Sequence, residues 1–143
     1  MINFEKCLAK GLIRKTISSK EQALASIAKA KIFLNEAVGD LEDERFNSAT
    51  VVAYMAILNC ERAILFKDGY RERSHICTTR YLEAKYKDRI SREIIILLDH
   101  YRETRHEVQY EPDFSAEAEG ARQIVDFAGK FLILAEKIIN SMR

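Results

Sequence analysis

Apolar residues recur every three or four positions along most of this chain, and the interruptions of that rhythm divide it into helices. Residues 1 to 17 form an amphipathic lead-in with Phe4, Leu8 and Leu12 at four-residue spacing. "SSKEQ" then offers two overlapping capping boxes, Ser18 with Glu21 and Ser19 with Gln22. The helix that follows sets Leu24, Ile27, Leu34 and Val38 on one broad side and is expected to end near Gly39 or Asp40. Asn47 or Ser48 can cap a second helix, apolar around much of its circumference and closed by Gly69. Ser74 can cap a shorter third segment. A fourth helix starts near Ser91 and runs to about Val108, with Ile94, Leu97, Tyr101, Thr104 and Val108 as its stripe. Pro112 stops it, and Ser115 caps a last long helix carrying Ile124, Phe127, Phe131, Leu134 and Ile138.

No strand alternation or internal repeat stands out. "EIIIL" is β-branched enough to imitate a buried strand, but its apolar residues continue into a helical stripe. The expected fold is all-α, an up-and-down helical bundle of about five helices with short connections. One domain spans 1–143, as a lead-in over 1–17 and the bundle over 18–142.

Composition narrows the function classes. A chain of 143 residues, 48% hydrophobic and 31% charged, can bury a substantial core, and one proline with five glycines suits long helices. A net charge of +1 gives no global pull toward nucleic acid or membrane, and the longest apolar runs, "IIILL" and "FLILA", are too short to span a bilayer. Cys7, Cys60 and Cys77 are odd in number and form no CxxC pair; Cys60 reads as a small core residue, no disulfide framework is expected, and a reducing cytoplasmic setting fits. Charge is nonetheless uneven. Residues 71 to 92 hold seven cations against Glu72, Glu83 and Asp88, while residues 107 to 119 hold five acids and no base. The first run can form an RNA-facing surface or dock an acidic protein, although a solvated face is the commoner origin of such runs.

The candidate chemistry sits in "YRETRHEVQYEP", residues 101 to 112. With the stripe of Leu97, Tyr101, Thr104 and Val108 taken as inward, Arg105 lies roughly 60° to its side at about 100° per residue. Arg102 lies about 120° away and His106 about 160° away, toward solvent or a partner subunit, and Tyr110 falls past the helix. One reading makes Arg102 and Arg105 the complement of the helix dipole, with Tyr110 covering the end of the core. The other makes Arg105, Tyr110 and His106 a grip for phosphate or nucleotide, a task that suits the planar, bidentate fork of arginine. His75 reads as structural at its turn and His100 as a surface residue. The histidines are scattered and there is no HExxH, P-loop or GxGxxG, so neither metal nor cofactor is expected.

The segment "YRETRHEVQYEPDFS" before a long apolar helix resembles the closing part of HEPN domains (higher eukaryotes and prokaryotes nucleotide-binding). "FNSATVVAYMAILNCERAILFKDGY" is similar to that family's second helix, and "RSHICTTRYLEA" to the Ser-His start of its next one; the likeness covers about residues 20 to 140. It implies an all-α bundle that forms a two-fold homodimer, with Arg105 in the place of the family's motif arginine and Tyr110 in that of its histidine. His106 stands where asparagine is usual. Tyrosine, with an ordinary pKa of about 10, is a poor base beside histidine. The first function implied is therefore a nucleotide- or RNA-binding subunit, possible partner of a separate minimal nucleotidyltransferase in a toxin–antitoxin-like pair. Arg105 would hold phosphate, Tyr110 would stack on a base, and Arg102 with His106 would line the site. The second is a metal-independent endoribonuclease with Arg105, Tyr110 and His106 in a composite dimer site. The third is a non-catalytic dimerisation module.

Overall fold

Helix α3 (Phe46–Asp68) forms the axis of the molecule, because its apolar residues leave it no polar side to turn outward. In the computed structural model, which describes residues 1–141, Ala53, Ile57, Cys60 and Ile64 of α3 are fully buried. Around it stand α2 (Lys20–Glu42), α4 (His75–Lys85), α5 (Arg92–Tyr110) and α6 (Ala118–Asn140), each packed on α3. The fold is all-α in its mass, as the periodicity predicts. The predicted end of the bundle at residue 142 lies outside the described residues. By length and mean hydropathy (1.4) α3 is apolar enough to cross a membrane, a feature the short runs did not disclose, but 72% of that window is buried inside the bundle.

Two short pieces precede and interrupt the bundle: α1 (Phe4–Ala9) in the lead-in, and an antiparallel pair of strands, β1 (Ile13–Lys15) and β2 (Tyr70–Glu72). The strands are a small addition to the all-α bundle; at three residues each they are too short to alternate visibly in the sequence. They pair Ile13 with Glu72, Arg14 with Arg71 and Lys15 with Tyr70. Gly69 makes the pairing possible. It turns the chain out of α3 with φ 84°, and a Cβ there would lie 2.8 Å from the Thr16 carbonyl.

A disulfide between Cys7 on α1 and Cys77 on α4, 70 residues apart, corrects the reading of the cysteines as unpaired. The two half-cystines are too distant in sequence to reveal themselves as a motif. Cys60 is free and buried, as expected of a core residue, and its burial pushes the thiol pKa up.

The predicted caps fare unevenly. The Ser19 hydroxyl accepts from the Gln22 N–H at 3.1 Å and that of Ser91 from the Ile94 N–H at 3.2 Å. Helix α2 runs past Gly39 to Glu42, however, because Asp40 is tied to the next helix: it accepts from Arg45 at 2.9 Å and from the Ser48 hydroxyl at 2.5 Å. Ser48 is thereby taken from its predicted capping role. Asn47 is taken likewise, accepting from the Ala116 N–H at 2.7 Å, and this pins the loop before α6 so that the helix starts at Ala118 rather than after Ser115.

Candidate functional site

The inward face of α5 is Ile95, Leu98, Tyr101 and Arg102: it keeps Tyr101 of the predicted stripe but takes the next residue in place of Ile94 and Leu97. One residue is about 100° of rotation. That rotation carries Arg102 from the outside of the bundle to the inside, where it is 7% exposed. Its expected place facing solvent or a partner is thus corrected. The exchange is electrostatic in origin, because a guanidinium inside the bundle needs acceptors and α3, α4 and α5 supply them. Arg102 donates to Asp99 Oδ1 at 2.8 Å and to Thr79 Oγ1 at 3.3 Å, and Thr79 in turn donates to Glu61 Oε1 at 2.8 Å. Asp99 also holds Arg80 at 2.6 Å, which withdraws Arg80 from the expected basic surface into the bundle.

Glu61 is the centre of this network. It is 1% exposed, and burial pushes its carboxyl up to about 7, against the pull of hydrogen bonds from Thr79 and Thr78 and of the Arg102 charge. Thr78 Oγ1 lies 2.8 Å from both Glu61 Oε2 and the His75 carbonyl. One hydroxyl proton cannot serve both acceptors. A protonated Glu61 resolves the conflict by donating to Thr78, which frees the Thr78 proton for His75.

One turn further along α5, Arg105 reaches the surface. Its guanidinium carbon stands 4.8 Å from the centroid of the Tyr54 ring, Tyr54 itself being 1% exposed on α3. Nη1 donates to Gln109 at 3.2 Å, while Nε is buried without a partner among the described residues. The imidazole of His75, at the first position of α4, also neighbours Tyr54, with 6.0 Å between the ring centroids. An open groove of about 490 Å³ is lined by Ser74, His75 and Ile76 from the start of α4 and by Arg102, Glu103, Arg105, His106 and Glu107 of α5, so two carboxylates share it with the two arginines. Ser74 makes no side-chain cap, and although the Cys77 N–H donates to the Ser74 carbonyl at 3.1 Å, the N–H groups of His75 and Ile76 have no backbone partner among the described residues and can meet a ligand. Burial lowers the pKa of His75, and the Arg105 and Arg62 charges lower it further, so at neutral pH the ring is uncharged and carries one basic nitrogen.

The structure brings Arg102, Arg105 and His106 to this groove and places Tyr110 beside it. Tyr110 is the last residue of α5 rather than a residue beyond it, and at 60% exposure it covers no core. Its ring stands 4.8 Å from that of His106, one turn earlier on the same face, so the two make an exposed aromatic shelf. His75 is the groove residue that its apparent structural role concealed. The signal available was its position directly after an N-cap serine, which puts an imidazole at the positive end of a helix.

The residues of the predicted stripe do have a place. Ile94, Leu97 and Tyr101 face Phe127, Phe131 and Leu134 of α6 across a second, apolar groove of about 480 Å³. No cluster of His, Cys, Asp and Glu suited to a metal occurs among the described residues.

A family model described as the HEPN domain matches residues 23–138 of this chain. No curated protein matches it.

Proposed function

Since the chain belongs to the HEPN domain family, we propose that it is a nucleotide- or RNA-binding subunit whose groove grips phosphate through Arg105. The observation that carries this reading is the Arg105 guanidinium held over the Tyr54 ring, 4.8 Å from its centroid, at the groove beside the uncapped start of α4. A phosphate there accepts from Arg105 and from the first N–H groups of α4, both of which favour an anion. The His106–Tyr110 shelf offers a face on which an unpaired base can stack. The apolar groove between α5 and α6 supports a homodimer built on these long helices. A separately encoded minimal nucleotidyltransferase is the protein partner that the family likeness suggests, in a cytoplasmic toxin–antitoxin-like pair.

Fluorescence anisotropy with a labelled single-stranded RNA in EDTA tests the grip. Arg105→Ala is expected to weaken binding by about tenfold or more, the scale of one charge-assisted contact. Equal binding by wild type and variant would remove Arg105 from the reading.

A metal-independent endoribonuclease is the second reading, favoured by the presence of two histidines in the arginine groove. In it His75 accepts the 2′-hydroxyl proton and the 2′-oxygen bonds to the adjacent phosphorus. The bond from phosphorus to the 5′-oxygen breaks, and His106 is the group placed to give a proton to the departing oxygen. Cleavage of RNA in EDTA that disappears in Arg105→Ala and in His75→Ala would select this reading. Absence of cleavage with Arg105-dependent binding would select the first, and absence of both would leave a dimerisation module.

A further inference from the structure

Arg14 of β1 and Arg71 of β2 face each other directly across the antiparallel pair, a placement in which like charges repel. Both are exposed, as are the neighbouring Lys15 and Arg73. Among the described residues no carboxylate stands within ion-pairing distance of these four cations, and the one acid in the two strands, Glu72, is held by Arg62 at 2.8 Å. The cations are braced rather than loose. The Arg71 guanidinium carbon lies 5.5 Å from the Phe66 ring centroid and Lys15 Nζ lies 5.8 Å from that of Tyr70. The Arg73 N–H donates to the Leu12 carbonyl at 2.7 Å, which extends the ribbon by a further residue toward Ser74 and the Arg105 groove. Arg71 precedes His75 by four residues, so the extended chain between them spans at most about 14 Å.

We propose that the β1–β2 ribbon is a binding track for the phosphate backbone of single-stranded RNA, carrying a strand to or from the Arg105 groove. The proposal rests on the nucleotide-binding reading of that groove and makes its ligand a polynucleotide rather than a free nucleotide. An anion between Arg14 and Arg71 turns their repulsion into a two-sided clamp, and Arg73, two residues on from Arg71 and on the same face, offers the next phosphate contact, while Lys15 adds charge from the other face. The β1 half of the track lies before residue 23, outside the stretch that matches the family model, so it belongs to this chain and not to the matched domain.

The test compares a labelled 12-nucleotide RNA with a labelled dinucleotide, each titrated in EDTA over a series of salt concentrations. The proteins are wild type, the double variant Arg14→Ser with Arg71→Ser, and Arg105→Ala. The double variant is expected to lose about tenfold in 12-mer affinity and about 1.4 from the salt slope, two cations at about 0.7 each on a single strand. Its dinucleotide binding is expected to stay at wild-type strength, and its melting temperature to be no lower than that of wild type, because a repulsion has been removed.

An unchanged 12-mer affinity and slope, with dinucleotide binding still dependent on Arg105, would overturn the track and leave the groove intact. Loss of 12-mer binding in the ribbon variant but not in Arg105→Ala would overturn the groove and leave the track. Displacement of the 12-mer by polyglutamate as efficiently as by unlabelled RNA would overturn the track in favour of an acidic protein surface.

Discussion

Two arginines three residues apart on one helix have separate duties here. Arg102 is enclosed with Asp99, Thr79 and Glu61, whereas Arg105 lies on Tyr54 at the groove wall. Arg102→Ala leaves Asp99 with one fewer partner inside the bundle and is expected to cost about 3 kcal/mol or more in urea denaturation. Arg105→Ala is expected to cost less than about 1 kcal/mol in the same measurement while weakening the proposed RNA binding by about tenfold or more. Reversed magnitudes would exchange their assignments. Glu61 gives a second prediction. Its folded pKa, pushed up to about 7, lies above the ordinary 4.5, so between those values the native state holds a proton that the unfolded chain has released. Stability therefore falls as pH rises through that window, by on the order of 3 kcal/mol, and is level above it. His75, with its lowered pKa, contributes the opposite slope below its ordinary 6.5. Glu61→Gln should accordingly remove the falling limb in pH-dependent urea denaturation and leave the rising one; a variant as pH-sensitive as wild type would show that Glu61 is not the titrating group.

At the scale of elements, the helices were legible because their apolar spacing and breakers agree, and Ser19, Ser91 and Gly69 act as their types suggest. The rotation of α5 was not. Ile94 to Leu98 is apolar at every position, and a run of that kind does not say which of its residues points inward. Three- and four-residue spacing favours the stripe through Tyr101, Thr104 and Val108, which leaves Arg102 outside; only the acceptors on α3 and α4, invisible along the sequence, turn it inward. Ribbon and disulfide were hidden for the same reason, each being a pairing of segments more than fifty residues apart. Arg105 and His106 could be read from the helix end alone, whereas His75 became a groove residue through Tyr54, its neighbour across two elements. The disulfide carries its own prediction. Reduction, or Cys77→Ser, is expected to cost about 2–4 kcal/mol, and Cys60→Ala should retain the response to dithiothreitol. Denaturation curves that coincide with and without reductant would refute a stabilising bridge.

Considered whole, the molecule has two differently built sides on α5: a polar groove toward α4 and an apolar one toward α6. An apolar cleft bearing two phenylalanines and two leucines suits a second helical surface, and this supports association through the long helices. Sedimentation velocity should find wild type dimeric at micromolar concentration and Leu97→Asp monomeric, with Arg105-dependent RNA binding weakened if the two grooves share one strand. A wild type that sediments as a monomer would sink the dimer.

The bond between Cys7 and Cys77 closes a covalent circle that contains α2 and α3 entire and leaves α5 and α6 as its tail. The turn joining α2 to α3 lies on that circle, at exposed Glu44 with φ 59°. A single cut there opens the ring without dividing the molecule. The nicked protein keeps one mass and one attachment between its halves until a reductant parts them. The lead-in therefore acts as a clasp, through which the ends of the first half of the chain hold each other.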